Sequence, residues 1–173
     1  MRHQHEIVKY NPAFYNEDSV YCKDEWTSVS DIGKCFNGKV LTQEEYFAVE
    51  NNYIDAVCEI LQVVGADSLT IEYIEKQDEW IEEQMVNSKI PEQDFQLLPI
   101  AKSLKQGQTM SVNKFCNAAR LCLREYIYAI FSSQSCNLKI KFGYDYYMYI
   151  ECPLCKEKLS DITARHSLFL DPR

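Results

Sequence analysis

The sequence predicts one α+β domain over residues 1–173, a mainly antiparallel sheet with two principal helices packed on it. Three stretches carry that expectation. Residues 138–151, LKIKFGYDYYMYIE, alternate apolar and polar side chains on either side of Gly143-Tyr144-Asp145, the pattern of a β-hairpin. Residues 43–64 repeat apolar side chains at three- and four-residue intervals between a capping signal and a glycine, the pattern of an amphipathic helix. A broader stripe from Thr109 or Ser111 to about Phe131 suits a central helix lying against the sheet.

Composition bounds the rest. The 173 residues, 46% apolar and 25% charged, have material for one core and too little for two. No apolar run approaches the roughly 20 residues that a membrane-spanning helix needs. The opening MRHQHEIVKYNP lacks the apolar stretch of a secretory signal, so a soluble, cytosolic protein is expected. Its thiols are then expected to be reduced. Cys58, Cys116 and Cys122, three of the eight cysteines, fall on helical apolar stripes, where a thiol behaves as a small hydrophobe. The net charge of −8 argues against direct nucleic-acid binding, because neutralising phosphates takes a basic surface. A basic protein partner fits better, although an acidic surface also simply confers solubility.

In chain order, Ile7–Tyr10 reads as an opening strand broken by Asn11-Pro12. Phe14, Tyr15, Val20, Tyr21 and Trp26 follow without a period and read as a wrapping segment that plugs aromatics into the body. Asn37-Gly38 marks a turn. Thr42 with Glu45 three residues on has capping-box spacing, and Gly65 stands where a helix terminates. Leu69, Ile71 and Tyr73 alternate as a half-buried strand. From Glu72 to Asp94 there are eight acids and two bases, with Trp80, Ile81 and Met85 as a thin apolar stripe, so a short helix over 76–87 with a negative outer face is expected. Pro99 suits the first turn of a short helix that ends before Gly107. Leu168, Phe169 and Leu170 suggest a last strand or a docked terminus.

Chemical motifs are sparse. Cys152-Pro153-Leu154-Cys155 is half of a zinc ribbon, but structural zinc takes four ligands and no second pair exists. Cys136, His166, His3 and His5 join it only through tertiary approach, and a zinc-binding adaptor built on this turn is the alternative reading. A nucleophilic cysteine needs a base in reach, and the three histidines lie near the termini. There is no phosphate-cradling glycine loop. No catalytic residues, cofactor or metal are assigned. What remains is a binding surface: Tyr144, Asp145 and Tyr147 at the hairpin as anchors, and Glu79, Glu82 and Glu83 as acids for a cationic partner. Ordinary sheet packing and a solvated helix face are the plainer readings of the same residues.

The runs YNPAFYNEDSVYCKDEWTSVSDIGKCFNGKVLTQEEY (10–46), LCLREYIYAIF (121–131) and FGYDYYMYIE (142–151) resemble bacterial immunity proteins, more narrowly those of contact-dependent growth-inhibition systems. The resemblance implies a cytosolic, non-enzymatic protein that binds the C-terminal toxin domain of a cognate delivery protein. Such toxins are often nucleases with basic active-site surfaces, and they are neutralised by occlusion. Some members of that family accept a toxin strand or hairpin as an extension of their own sheet. The Cys152–Cys155 turn has no counterpart in that pattern.

Overall fold

The computed structural model describes residues 3–173, the side chain of His3 excepted. In chain order the strands are β1 (His3–Val8), β2 (Cys35–Phe36), β3 (Lys39–Val40), β4 (Ser68–Glu75), β5 (Thr109–Ser111), β6 (Tyr128–Ser133), β7 (Leu138–Phe142), β8 (Met148–Cys152) and β9 (Phe169–Leu170). The helices are α1 (Gln43–Val64), α2 (Asp78–Val86), α3 (Pro91–Ser103), α4 (Val112–Leu123) and α5 (Lys156–Arg165). Seven strands make one sheet in the order β5-β4-β6-β7-β8-β1-β9, and every neighbouring pair is antiparallel. The fold is α+β, as expected, but the two principal helices of the sequence reading become five among the described residues.

Side-chain alternation sets the register of the central hairpin. Leu138, Ile140 and Phe142 of β7 and Met148, Ile150 and Cys152 of β8 are buried, with Ile140 opposite Ile150 and Phe142 opposite Met148. Lys139 faces Glu151, and Lys141 faces Tyr149, on the other side of the sheet. A slip of one residue would drive both lysines into the core, so the pairing is strongly specified. Gly143, the residue a tight hairpin would use for its positive φ, does not take it. Positive φ falls on Asp145 (57°) and Tyr146 (63°), not on Gly143. Gly143 is needed for space, since a Cβ there would stand 2.9 Å from Cε2 of Tyr149.

Helix α1 forms as the sequence predicts. Thr42 Oγ1 accepts from the Glu45 N–H at 3.2 Å, and the Glu45 carboxylate accepts from the Thr42 N–H at 3.3 Å. Gly65 closes the helix in the left-handed region at φ 74°. Such an N-cap contributes about 1 kcal/mol. The buried face carries Tyr46, Glu50, Tyr53, Ile54, Val57 and Leu61. A carboxylate thus sits in the middle of an apolar stripe.

Three expectations need correction. The second long helix does not reach Phe131: α4 ends at Leu123, Glu125 turns left-handed at φ 62°, and the chain enters β6 at Tyr128. Residues 128–133 pair with β4 on one side and β7 on the other, and that double ladder outweighs the helical spacing. Pro99 lies inside α3, while Pro91 occupies its first turn, where a missing N–H costs nothing. The tail does form the expected last strand, β9, at the sheet edge, after a helix the sequence reading did not foresee, α5, held by Leu159, Ile162 and Thr163. The wrapping segment plugs in only partly. Tyr10, Ile32 and Leu41 are buried and Trp26 packs tilted against Tyr46 and edge-on against Tyr146, whereas Phe14 and Val20 stay exposed.

Candidate functional site

The left-handed turn after α4 leaves a gap in the rim of the fold. The end of β4 and the start of α2 form one wall of this gap, the α4–β6 turn forms its floor, and the β7–β8 tip overhangs it. The resulting notch encloses about 530 Å³. Its aromatic lining is Trp80, Tyr126, Tyr128, Phe142 and Tyr144. Three of these are exposed, Trp80 at 44%, Tyr128 at 39% and Tyr144 at 80%, and Tyr73 extends the patch by an edge-on contact with Tyr128 at 6.0 Å. An aromatic group left in water costs hydration free energy that a partner can recover.

The charges around the notch are negative. Glu75 and Glu125 line it. Lys76 lines it too, but its ammonium donates to the carbonyls of Ala101 at 2.8 Å and Lys102 at 3.1 Å and pairs with Asp78 at 2.7 Å. Its charge is therefore spent on the C-terminal end of α3. Desolvation beside the hairpin tip raises the Glu125 carboxyl above its ordinary range, against a hydrogen bond from the Asp145 backbone that favours the charged form.

The sequence-predicted residues divide. Tyr144 is the most exposed aromatic side chain of the notch. Asp145 is exposed, and its carbonyl accepts from the Tyr10 hydroxyl at 2.7 Å, which ties the tip to the N-terminal segment. Tyr147 points away from the notch. Its hydroxyl accepts from Arg173 at 2.8 Å, and its ring packs on Tyr10, so it pins the two ends of the chain together. Glu79, Glu82 and Glu83 lie exposed on α2 beside the notch but do not line it, and Glu82 pairs with Lys102 at 2.6 Å. The negative face is thinner than the run of acids implied, because Glu72 pairs with Lys139 and Asp94 is buried.

Behind the tip lies a network that the sequence reading missed. Tyr146, two residues from Tyr144, is only 2% exposed and donates to the Tyr46 hydroxyl, which donates to Glu50. Arg124 grips Glu50 with two bonds of 2.7 and 2.8 Å and reaches Asp94 at 2.8 Å. Arg120 adds a 2.6 Å bond to Glu50, and Tyr126 donates to Asp94 at 2.6 Å. Every acceptor is occupied, as buried charge requires. Two signals were available: Glu50 four residues after Tyr46 on an apolar stripe, and Arg120 with Arg124 one turn apart on another.

The Cys152–Cys155 turn opens helix α5 directly after strand β8. Cys152 ends β8 and is buried, which raises its thiol pKa, and Cys155 is the exposed N-cap of α5. No set of three or more His, Cys, Asp and Glu side chains converges to hold a metal among the described residues; the His3 side chain lies outside them. His166 sits 2.7 Å from Glu59, on the seam between α1 and α5. No helix among the described residues is long and apolar enough to cross a membrane. No protein-family model, curated protein or solved structure matches this chain.

Proposed function

We propose that this protein is an immunity-type inhibitor that binds a basic toxin domain, of nuclease type, and neutralises it by covering its functional surface without chemistry of its own. The supporting observation is the notch: exposed Trp80, Tyr128 and Tyr144 surround two carboxylates, Glu75 and Glu125, and the nearby ammonium of Lys76 is internally engaged. Such a site accepts a lysine or arginine side chain. The rings contact the alkyl stem and face the charge, worth about 0.5–2 kcal/mol, and the carboxylates complete the pairing. Glu79 and Glu83 on the adjoining helix extend the negative field that steers encounter.

Binding by strand addition is the weaker route here. The outermost strands, β5 and β9, are three and two residues long and cover only residues 68–70 of β4 and residues 7–8 of β1. An incoming strand would have only those short strands and the brief uncovered remainder of β4 and β1 to pair with. Action in the cytosol, on a toxin that has entered the cell, follows from the same reading.

The test is protection. Cells that produce the toxin domain encoded beside this gene should survive when they make this protein and should lose that protection with a Trp80→Ala, Tyr144→Ala double variant that remains folded. Failure of the wild-type chain to protect, or full protection by the folded double variant, removes the proposal or its site respectively.

A further inference from the structure

One pair of groups is independent of the notch. Cys58, late in α1, and Cys116, in the second turn of α4, hold their sulfurs 3.1 Å apart. Both thiols are free and both residues are partly exposed, so a small oxidant has access. A disulfide needs a separation of about 2.05 Å, so closure asks for roughly 1 Å of approach, within reach of a side-chain rotation. The other six cysteines carry no such contact with another cysteine among the described hydrogen bonds.

We propose that Cys58 and Cys116 are a modification site, a vicinal dithiol that closes to an intramolecular disulfide on reaction with a low-molecular-weight disulfide such as glutathione disulfide. The Cys58 thiolate attacks one sulfur of glutathione disulfide, forms a mixed disulfide and expels one glutathione thiolate, which takes up the proton Cys58 released. Cys116 then loses its proton and attacks the Cys58 sulfur, expelling the second glutathione. Two protein thiols are oxidised and one disulfide is reduced to two thiols. The order follows from the pair's own hydrogen bond. Either sulfur can donate at this distance; with Cys116 as the donor, the bond lowers the Cys58 pKa and raises that of Cys116, while the charge of Arg120 favours both thiolates and that of Asp55 opposes them. The new bond would brace α1 against α4, the helix whose end leads into the Glu125 turn and the notch floor.

The experiment is to incubate the folded full chain with glutathione disulfide, quench with acid, and digest without reduction. The expected product is a peptide pair linked through Cys58 and Cys116, lighter by two hydrogens than the free pair. Thermal unfolding of the oxidised chain should shift upward by roughly 5–10 °C, because the bridge closes a long loop. Cys116→Ser should trap glutathione on Cys58, since the resolving thiol is gone, while Cys58→Ser should show no linked pair. Recovery of both residues as free thiols, or as separate glutathione adducts in the wild-type chain, overturns the proposal. No toxin partner enters the measurement, so its outcome is separate from that of the binding reading.

Discussion

Tyr144 and Tyr146 are the same residue two positions apart in one turn, and they end in opposite environments. Tyr144 stands in solvent over the notch, while Tyr146 is sealed in the core on Tyr46, Tyr53 and Trp26. The left-handed backbone at Asp145 and Tyr146 turns the second ring inward, and the hydrogen bond to Tyr46 holds it there. Outside, aromatic area is available to a partner; inside, the same phenol links the hairpin to a buried ionic network. The proposed binding role of this tip and its part in stability are therefore separable by mutation.

The largest effect that would break the comparison lies inside. Arg124→Met leaves Glu50 and Asp94 buried without their main cation and should cost about 3–5 kcal/mol, read from urea unfolding. A loss below 1 kcal/mol would mean that Arg120 alone suffices.

Lys9 sharpens the inner side through pH. It is enclosed by Tyr10 and Trp26, each ring 4.3 Å away, and burial lowers its pKa to about 8 despite its pair with Glu25. Because the folded pKa lies below the unfolded one, the unfolded chain holds the extra proton between them. Stability then rises as pH climbs from about 8 toward 10.5, by about 2–3 kcal/mol. Lys9→Met should remove that rise, so stability curves of the two proteins should converge at high pH; parallel curves refute the assignment.

The outer side predicts the reverse signature. Tyr144→Ala should change stability by no more than about 0.5 kcal/mol and weaken partner binding by about 2 kcal/mol. Tyr146→Phe should lower stability by about 1 kcal/mol, leaving affinity unchanged. Calorimetry and unfolding on both variants check the crossed pattern, and matched losses in both assays would show that the tip acts as one unit. Smallest is the charge effect: reversing Glu79 and Glu83 to lysine should slow association at low salt and barely change it at high salt. An on-rate indifferent to salt would remove α2 from the encounter surface.

Local signals made much of the fold legible. Thr42, Glu45 and Gly65 bracket α1 because capping chemistry is short-range, and 138–152 alternate because one face of the hairpin is buried. Residues 124–133 were not legible. Tyr126, Ile127, Ile130 and Phe131 fit a helical stripe and a strand equally, and short apolar runs admit both. Helix α5 was missed because only Leu159, Ile162 and Thr163 are buried in ten mostly polar residues. At the notch, the exposure of Tyr144 was readable from the hairpin tip, whereas Glu75 with Trp80 and Glu125 with Tyr128 come from two other stretches that only the fold brings beside it.

The amino-acid order by itself determined where the central hairpin turns, where α1 begins and ends, which face of that hairpin is apolar and that the molecule is acidic. These depend on interactions within a few residues or on totals. Tertiary structure alone decided that 128–133 become a strand between β4 and β7, that Glu50 meets Arg124 across 74 positions, and that Tyr144 shares a notch with Trp80. Each depends on what lies across a gap in space, and neither propensity nor periodicity carries that information.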